Sequence, residues 1–179
     1  LNVCEGSYIE DPSCVVLHLH GIGAHFQIII ENEDCFLYKD FLFSSSNIKS
    51  YALEFSGHGK SDGLRCSIDN YDDLLEEISI MVKYIREKHI EKKIFIYGES
   101  MGAGLAVLYQ MKYQLDSFID GYILMAPMLG LSDSVKPSYP IIQTLIGLSW
   151  VFPELPLLGA TTHISNSCKN KEYLSAKLK

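Results

Sequence analysis

The residues with the clearest chemical meaning are Gly98-Glu99-Ser100-Met101-Gly102, a serine between two glycines that follows the apolar run Ile94 to Tyr97 and precedes a helix-like stretch. A serine on a sharp strand-to-helix turn presents its hydroxyl at the edge of a sheet, the layout of a nucleophile elbow. Such a turn strains the serine backbone and leaves no room for bulk two positions to either side. Gly98 and Gly102 meet that demand. The chemistry would be attack of the hydroxyl on a carbonyl carbon, which generates an oxyanion needing N–H donors in a water-poor crevice. It also needs a histidine to take the serine proton and a carboxylate to orient that histidine.

The other candidate residues read as structural. His163, the only histidine after Ser100, sits in the polar run Thr161-Thr162-His163 and reads as a solvated loop residue. Asp133 reads as a surface or loop-capping aspartate. His18, inside an apolar run, reads as a satisfied core residue, and His20 and His58 as loop-shaping groups bonded to backbone. No carboxylate or thiol stands at ligand spacing from His18, His20, His25 or His58, so no metal is expected. Nor is a nucleotide: His20-Gly21-Ile22-Gly23 lacks the third glycine of a dinucleotide fingerprint, and Gly57-His58-Gly59-Lys60-Ser61 echoes only the end of a P-loop.

The elements that must position Ser100 alternate in type. Val15 to Leu19 is a short β-branched run suited to a buried parallel strand, and Ile48 to Phe55, Lys93 to Tyr97 and Gly121 to Met125 continue the series. Asp34 to Phe43 is a weak helix. Asn70 to His89 is the clearest one, with Tyr71, Leu74, Leu75, Ile78, Met81, Val82 and Ile85 at three- and four-residue steps and Asn70 as its cap. Gly102 to Leu115 forms the helix after the elbow. The order β-α-β-α-β-α-β implies a mostly parallel sheet with helices on both faces. Ligands bind such sheets beyond the carboxyl ends of the strands, where the loops at Gly21 and Gly23, at Gly57 and Gly59, and at Ser100 should converge.

With 179 residues, 47% of them apolar and 21% charged, the chain fits one globular domain or most of one. Its leucine start suggests a piece of something longer or a processed product. A net charge of -7 gives no electrostatic reason to bind nucleic acid. Cys4, Cys14, Cys35, Cys66 and Cys168 form neither a zinc pattern nor a disulfide framework, which points to reduced thiols and a cytoplasmic setting. Tyr139 to Leu158 is apolar but interrupted by Pro140, Gly147, Pro153, Glu154 and Pro156, so it is not expected to span a membrane.

Four motifs carry a family resemblance: His20-Gly21-Ile22-Gly23 with His25, Gly57 to Gly63, Gly98 to Ala103, and Tyr122 to Met128. The chain resembles the monoacylglycerol lipase and lysophospholipase branch of the α/β-hydrolase fold, in the serine aminopeptidase S33 group. The resemblance spans nearly all 179 residues. It implies Ser100 as nucleophile, the backbone N–H groups of Ile22 and Met101 as oxyanion donors, no cofactor, and a lid over residues 131–179 within a single partial domain. It places the triad acid and histidine later than residue 179, with the last strands. A carboxylic ester of lipid type, such as monoacylglycerol or lysophospholipid, is the implied substrate, with peripheral membrane contact through the lid. Two other readings stay open: a small-amide peptidase using the same elbow, and a non-catalytic fragment. A dehalogenase is disfavoured, because that chemistry needs a carboxylate where Ser100 stands.

Overall fold

The computed structural model describes residues 1–24, 45–113, 118–130 and 136–152. They fall in two compact units, Leu1–Leu131 and Ser132–Lys179. The first contains β1 (Asn2–Glu5), β2 (Cys14–Leu19), β3 (Ile48–Glu54), α1 (Tyr71–Lys88), β4 (Lys93–Glu99), α2 (Met101–Lys112) and β5 (Gly121–Met125), and the second contains α3 (Tyr139–Val151). The expected weak helix at Asp34 to Phe43, together with His25, Asp133 and His163, lies outside the described residues.

One five-stranded sheet runs in the order β1-β3-β2-β4-β5. β2 pairs in parallel with β3 on one side and β4 on the other, and β4 pairs in parallel with β5. The strand order therefore switches direction at β2, and the crevice expected at such a switch lies beyond the carboxyl ends of β2 and β4. The strands expected from Val15, Ile48, Lys93 and Gly121 and the helices expected from Asn70 and Gly102 form, with β4 running two residues further, into Glu99, and α2 spanning Met101–Lys112.

Local chemistry explains the elements. β2 and β4 bury Val15, Leu17, Ile94 and Ile96 almost completely, as a strand covered on both faces requires. In α1 the Asn70 side chain accepts from Asp72 N–H, with Asp72 and Asp73 in the first turn and Arg86 and Lys88 in the last, all favourable to the helix dipole. Its apolar face, Leu74, Leu75, Ile78, Met81, Val82 and Ile85, joins the core that also takes Met101, Leu105 and Tyr109 of α2.

β1 corrects the sequence reading, which had no strand before Val15. Four residues with only alternate half-burial carry too little pattern, and their partner is remote: Asn2 lies opposite Glu54 and Glu5 opposite Tyr51, antiparallel. The buried Lys49 fastens this strand, donating from Nζ to the carbonyls of Gly6 (2.9 Å) and Ser7 (3.0 Å) and pairing with Glu5 at 3.0 Å. Burial alone would raise the Glu5 carboxyl, but the Lys49 hydrogen bond and charge and the charge of Lys88 outweigh it, holding Glu5 below its ordinary value.

Two outcomes follow. A depressed carboxylate stabilises the fold above its unfolded pKa, about 4.3, and that contribution is lost as pH falls through the lower folded value. Glu5→Gln should therefore flatten the acid side of a thermal-stability profile, and an unchanged profile would exclude the Lys49 contact as an anchor. At the other edge, Ile123, Leu124 and Met125 of β5 are 39–47% exposed, and no further strand pairs with β5 among the described residues. The isolated chain should self-associate in sedimentation experiments and Ile123→Lys should suppress this, whereas a monomeric unsubstituted chain would contradict it.

Candidate active site

Ser100 links β4 to α2 with φ +51° and ψ −111°, a backbone conformation that side-chain-bearing residues rarely adopt. Its own polar groups hold it there. Ser100 N–H donates to Met125 carbonyl (2.9 Å), and its carbonyl accepts from Gly104 N–H and Met128 N–H, both at 3.0 Å. The flanking glycines are required by space. A Cβ on Gly98 would lie 2.6 Å from Ala103 Cα, and one on Gly102 would lie 2.3 Å from the Leu19 carbonyl oxygen. The elbow thus rests directly on the end of β2.

The loop after β2 comes against the same serine. A Cβ on Gly21 would lie 3.3 Å from Ser100 Cβ and 3.9 Å from Oγ. Ala24 N–H closes a turn onto Gly21 carbonyl (3.1 Å), with Gly23 at φ +69° in the third position, where such a turn favours glycine. Ile22 is 55% exposed, so its side chain adds little to a closed site and its backbone N–H is the group of interest. Met101 opens α2, where the first backbone N–H groups lack helical partners and the dipole is positive. The segments that carry Ile22 and Met101 therefore both adjoin Ser100.

The loop after β3 completes the convergence. His20 and His58 are both 3% exposed, with ring centroids 5.0 Å apart. His20 Nδ1 lies 2.8 Å from Gly21 carbonyl and its Nε2 accepts from Phe55 N–H at 3.1 Å, while His58 Nδ1 lies 3.0 Å from Ser56 carbonyl. These are the backbone contacts expected of loop-shaping histidines. His18 is buried in β2 with its ring 5.3 Å from that of Tyr97.

Several supports had no sequence signal beyond residue type. Glu54 is fully buried at the end of β3, accepting from Asn2 Nδ2 (2.6 Å) and Lys60 N–H (2.8 Å). A Cβ on Gly59 would collide with its carboxyl group, so the Gly57–Gly59 turn is moulded on Glu54. Glu77 of α1 reaches across to Ser56, accepting from its N–H and its hydroxyl. Ala126, at φ +44°, shares the strained geometry of the β5 loop that grips Ser100. Gly104, whose Cβ would lie 2.7 Å from Met128 carbonyl oxygen, was detectable as an isolated glycine in a helical pattern.

Among the described residues no histidine or carboxylate hydrogen-bonds Ser100 Oγ, and no group of three His, Cys, Asp or Glu residues is placed to hold a metal. The site as described offers a strained serine and converging backbone N–H groups, which suits stabilisation of a developing oxyanion. Strain at φ +51° of order 1–3 kcal/mol predicts that Ser100→Gly unfolds at higher denaturant than Ser100→Ala, by about 1 kcal/mol after the entropy cost of glycine. Equal stability of the two variants would show the backbone to be unstrained.

The comparisons with known proteins agree with this architecture. A hydrolase family model described as serine aminopeptidase, S33, matches residues 10–178. The chain is similar to the monoacylglycerol lipase of Mycolicibacterium smegmatis, 24% identical over 140 residues, which cover 76% of this chain and 46% of the lipase. It is also similar to the caffeoylshikimate esterase of Arabidopsis thaliana, 28% identical over 98 residues, which cover 54% of this chain and 29% of the esterase. The solved monoacylglycerol lipase of Paleococcus ferrophilus shares the fold with a TM-score of 0.72 at 20% identity, over 99% of this chain and 62% of that one. The chain spans less than half the length of these two curated relatives. With its switch point at β2, its elbow after β4 and a family match over almost its whole length, the chain belongs to the serine aminopeptidase S33 family, in the monoacylglycerol lipase-like branch of the α/β-hydrolase fold.

Proposed function

We propose that this polypeptide is the nucleophile-bearing core of a serine hydrolase that cleaves carboxylic esters of lipid type, with monoacylglycerol or lysophospholipid as substrate class. The observation that carries the reading is Ser100 at φ +51° between β4 and the N-terminus of α2, with Gly21 packed against it. In the acylation step Ser100 Oγ attacks the ester carbonyl carbon and the N–H groups of Ile22 and Met101 receive the oxyanion. The alkoxide leaving group then departs with a proton, and water later releases the acid. The general base and its orienting carboxylate are not placed at Ser100 by the described residues, so this reading leaves both to residues outside them. The names of the relatives, monoacylglycerol lipase among them, support the ester over other acyl substrates.

The family description, a serine aminopeptidase, favours a second reading in which the same elbow opens small amides. That no histidine or carboxylate among the described residues hydrogen-bonds the Ser100 hydroxyl favours a third, a non-catalytic hydrolase-like fragment. A polypeptide carrying this sequence and its native flanks should be labelled by a fluorophosphonate, lose labelling on Ser100→Ala, and hydrolyse monoacylglycerol faster than aminoacyl amides. Faster amide cleavage would reverse the substrate assignment, and absence of labelling would favour the non-catalytic reading.

Residues 131–179 we assign as a lid, with α3 as its lipid-contacting element. The 13 residues of α3 include no charged side chain and none of them is buried; Tyr139 is 73% and Trp150 85% exposed. Pro140 stands in the first turn, where it starts the helix rather than breaking it. No helix among the described residues is long and apolar enough to cross a membrane. Shallow docking of such a helix scales with apolar area, so Trp150→Glu should weaken co-sedimentation with phosphatidylcholine vesicles by at least about threefold. Equal vesicle binding by the variant would remove α3 from the contact.

A further inference from the structure

We propose that His20, locked as its Nδ1–H tautomer, is a positioning residue that sets the direction of the Ile22 N–H toward the oxyanion. This rests on the serine-hydrolase reading of Ser100. The backbone N–H of Phe55 can only donate. Its 3.1 Å contact makes His20 Nε2 the acceptor, and a neutral imidazole that accepts at Nε2 carries its proton on Nδ1. Nδ1–H then donates to Gly21 carbonyl at 2.8 Å. A doubly protonated ring would aim an N–H at the Phe55 N–H, so only the neutral ring fits.

Gly21 carbonyl receives a second donor, Ala24 N–H, at 3.1 Å. With two donors the carbonyl has one direction. The Gly21–Ile22 peptide is trans and planar, so Ile22 N–H points opposite to that carbonyl. The imidazole and the Ile22 N–H therefore lie on opposite sides of one rigid peptide whose Gly21 end abuts Ser100. The ring itself cannot drift: it is 3% exposed, meets Phe55 edge-on at 5.1 Å and packs on His58 at 5.0 Å.

Two substitutions separate this role from simple satisfaction of the Phe55 N–H. Asparagine matches the reach of Nδ1 and can still donate to Gly21 carbonyl, but leaves Phe55 without an acceptor. Glutamine matches the reach of Nε2 and does the reverse. A positioning role ranks His20→Asn above His20→Gln, and a purely structural role ranks them the other way.

The test uses the 15N-labelled polypeptide carrying this sequence and its native flanks. Long-range 1H–15N correlation should show His20 protonated at Nδ1 and bare at Nε2; a proton on Nε2 would overturn the proposal. An alkylboronic acid then serves as oxyanion probe: Ser100 Oγ forms a bond to trigonal boron, the hydroxyl proton leaves to solvent, and boron becomes a tetrahedral anion. Its binding should shift the Ile22 and Met101 amides together. His20→Gln should weaken that binding by about tenfold and abolish the Ile22 shift, with His20→Asn within about threefold of the parent, given what one oriented donor contributes. Equal or reversed ranking overturns the role of His20. A boronate that leaves Ser100 and Met101 unshifted overturns the serine-site reading instead, and the ring tautomer still decides His20.

Discussion

The structure depends on one strained residue and on what grips it. Ser100 can hold φ +51° only because its N–H and its carbonyl are both occupied, by Met125 on one side and by Met128 and Gly104 on the other. Gly102 is pressed onto the Leu19 carbonyl at the end of β2, so the ends of β2, β4 and β5 interlock at a single turn. The cost of the strained backbone is carried by this surrounding structure, as strain at functional sites generally is. Ala126 at φ +44° belongs to the same device, since its bend turns the chain from β5 back toward the elbow.

Buried polar side chains behind the elbow hold the loops that face the serine. Glu54, buried at the end of β3, shapes the Gly57–Gly59 turn and ties it to Asn2 of β1, while Glu77 of α1 clasps Ser56. His58 sits on that turn and packs against His20, which reaches Gly21 beside Ser100. A continuous chain of contacts therefore runs from the antiparallel edge strand, through two buried carboxylates and two buried histidines, to the candidate oxyanion loop. Its polar groups find partners where the backbone turns away from the sheet, which is where unsatisfied N–H and carbonyl groups would otherwise be costly.

What was legible in the sequence was what is encoded locally. The elbow could be read because the steric need of a strained serine fixes glycine at Gly98 and Gly102, and α1 because seven apolar residues recur on one helical face. The convergence of three glycine-bearing loops followed from the parallel order alone. What escaped depends on distant partners. β1 gains its identity only from pairing with β3, about 50 residues on, and Glu54 and Glu77 look like any surface acid until folding buries them. Ala126 gives no hint of a left-handed backbone, because its bend goes with the contacts that its neighbours Met125 and Met128 make to the distant Ser100.

In the proposed chemistry Ser100 and the Ile22 and Met101 N–H groups form one oxyanion-binding unit. A crystal structure of the polypeptide phosphonylated at Ser100 tests that claim most directly. The phosphoryl oxygen should lie within about 3 Å of both the Ile22 and Met101 nitrogens, as a working oxyanion site demands. A phosphoryl oxygen turned to solvent, or held by neither N–H, would contradict it.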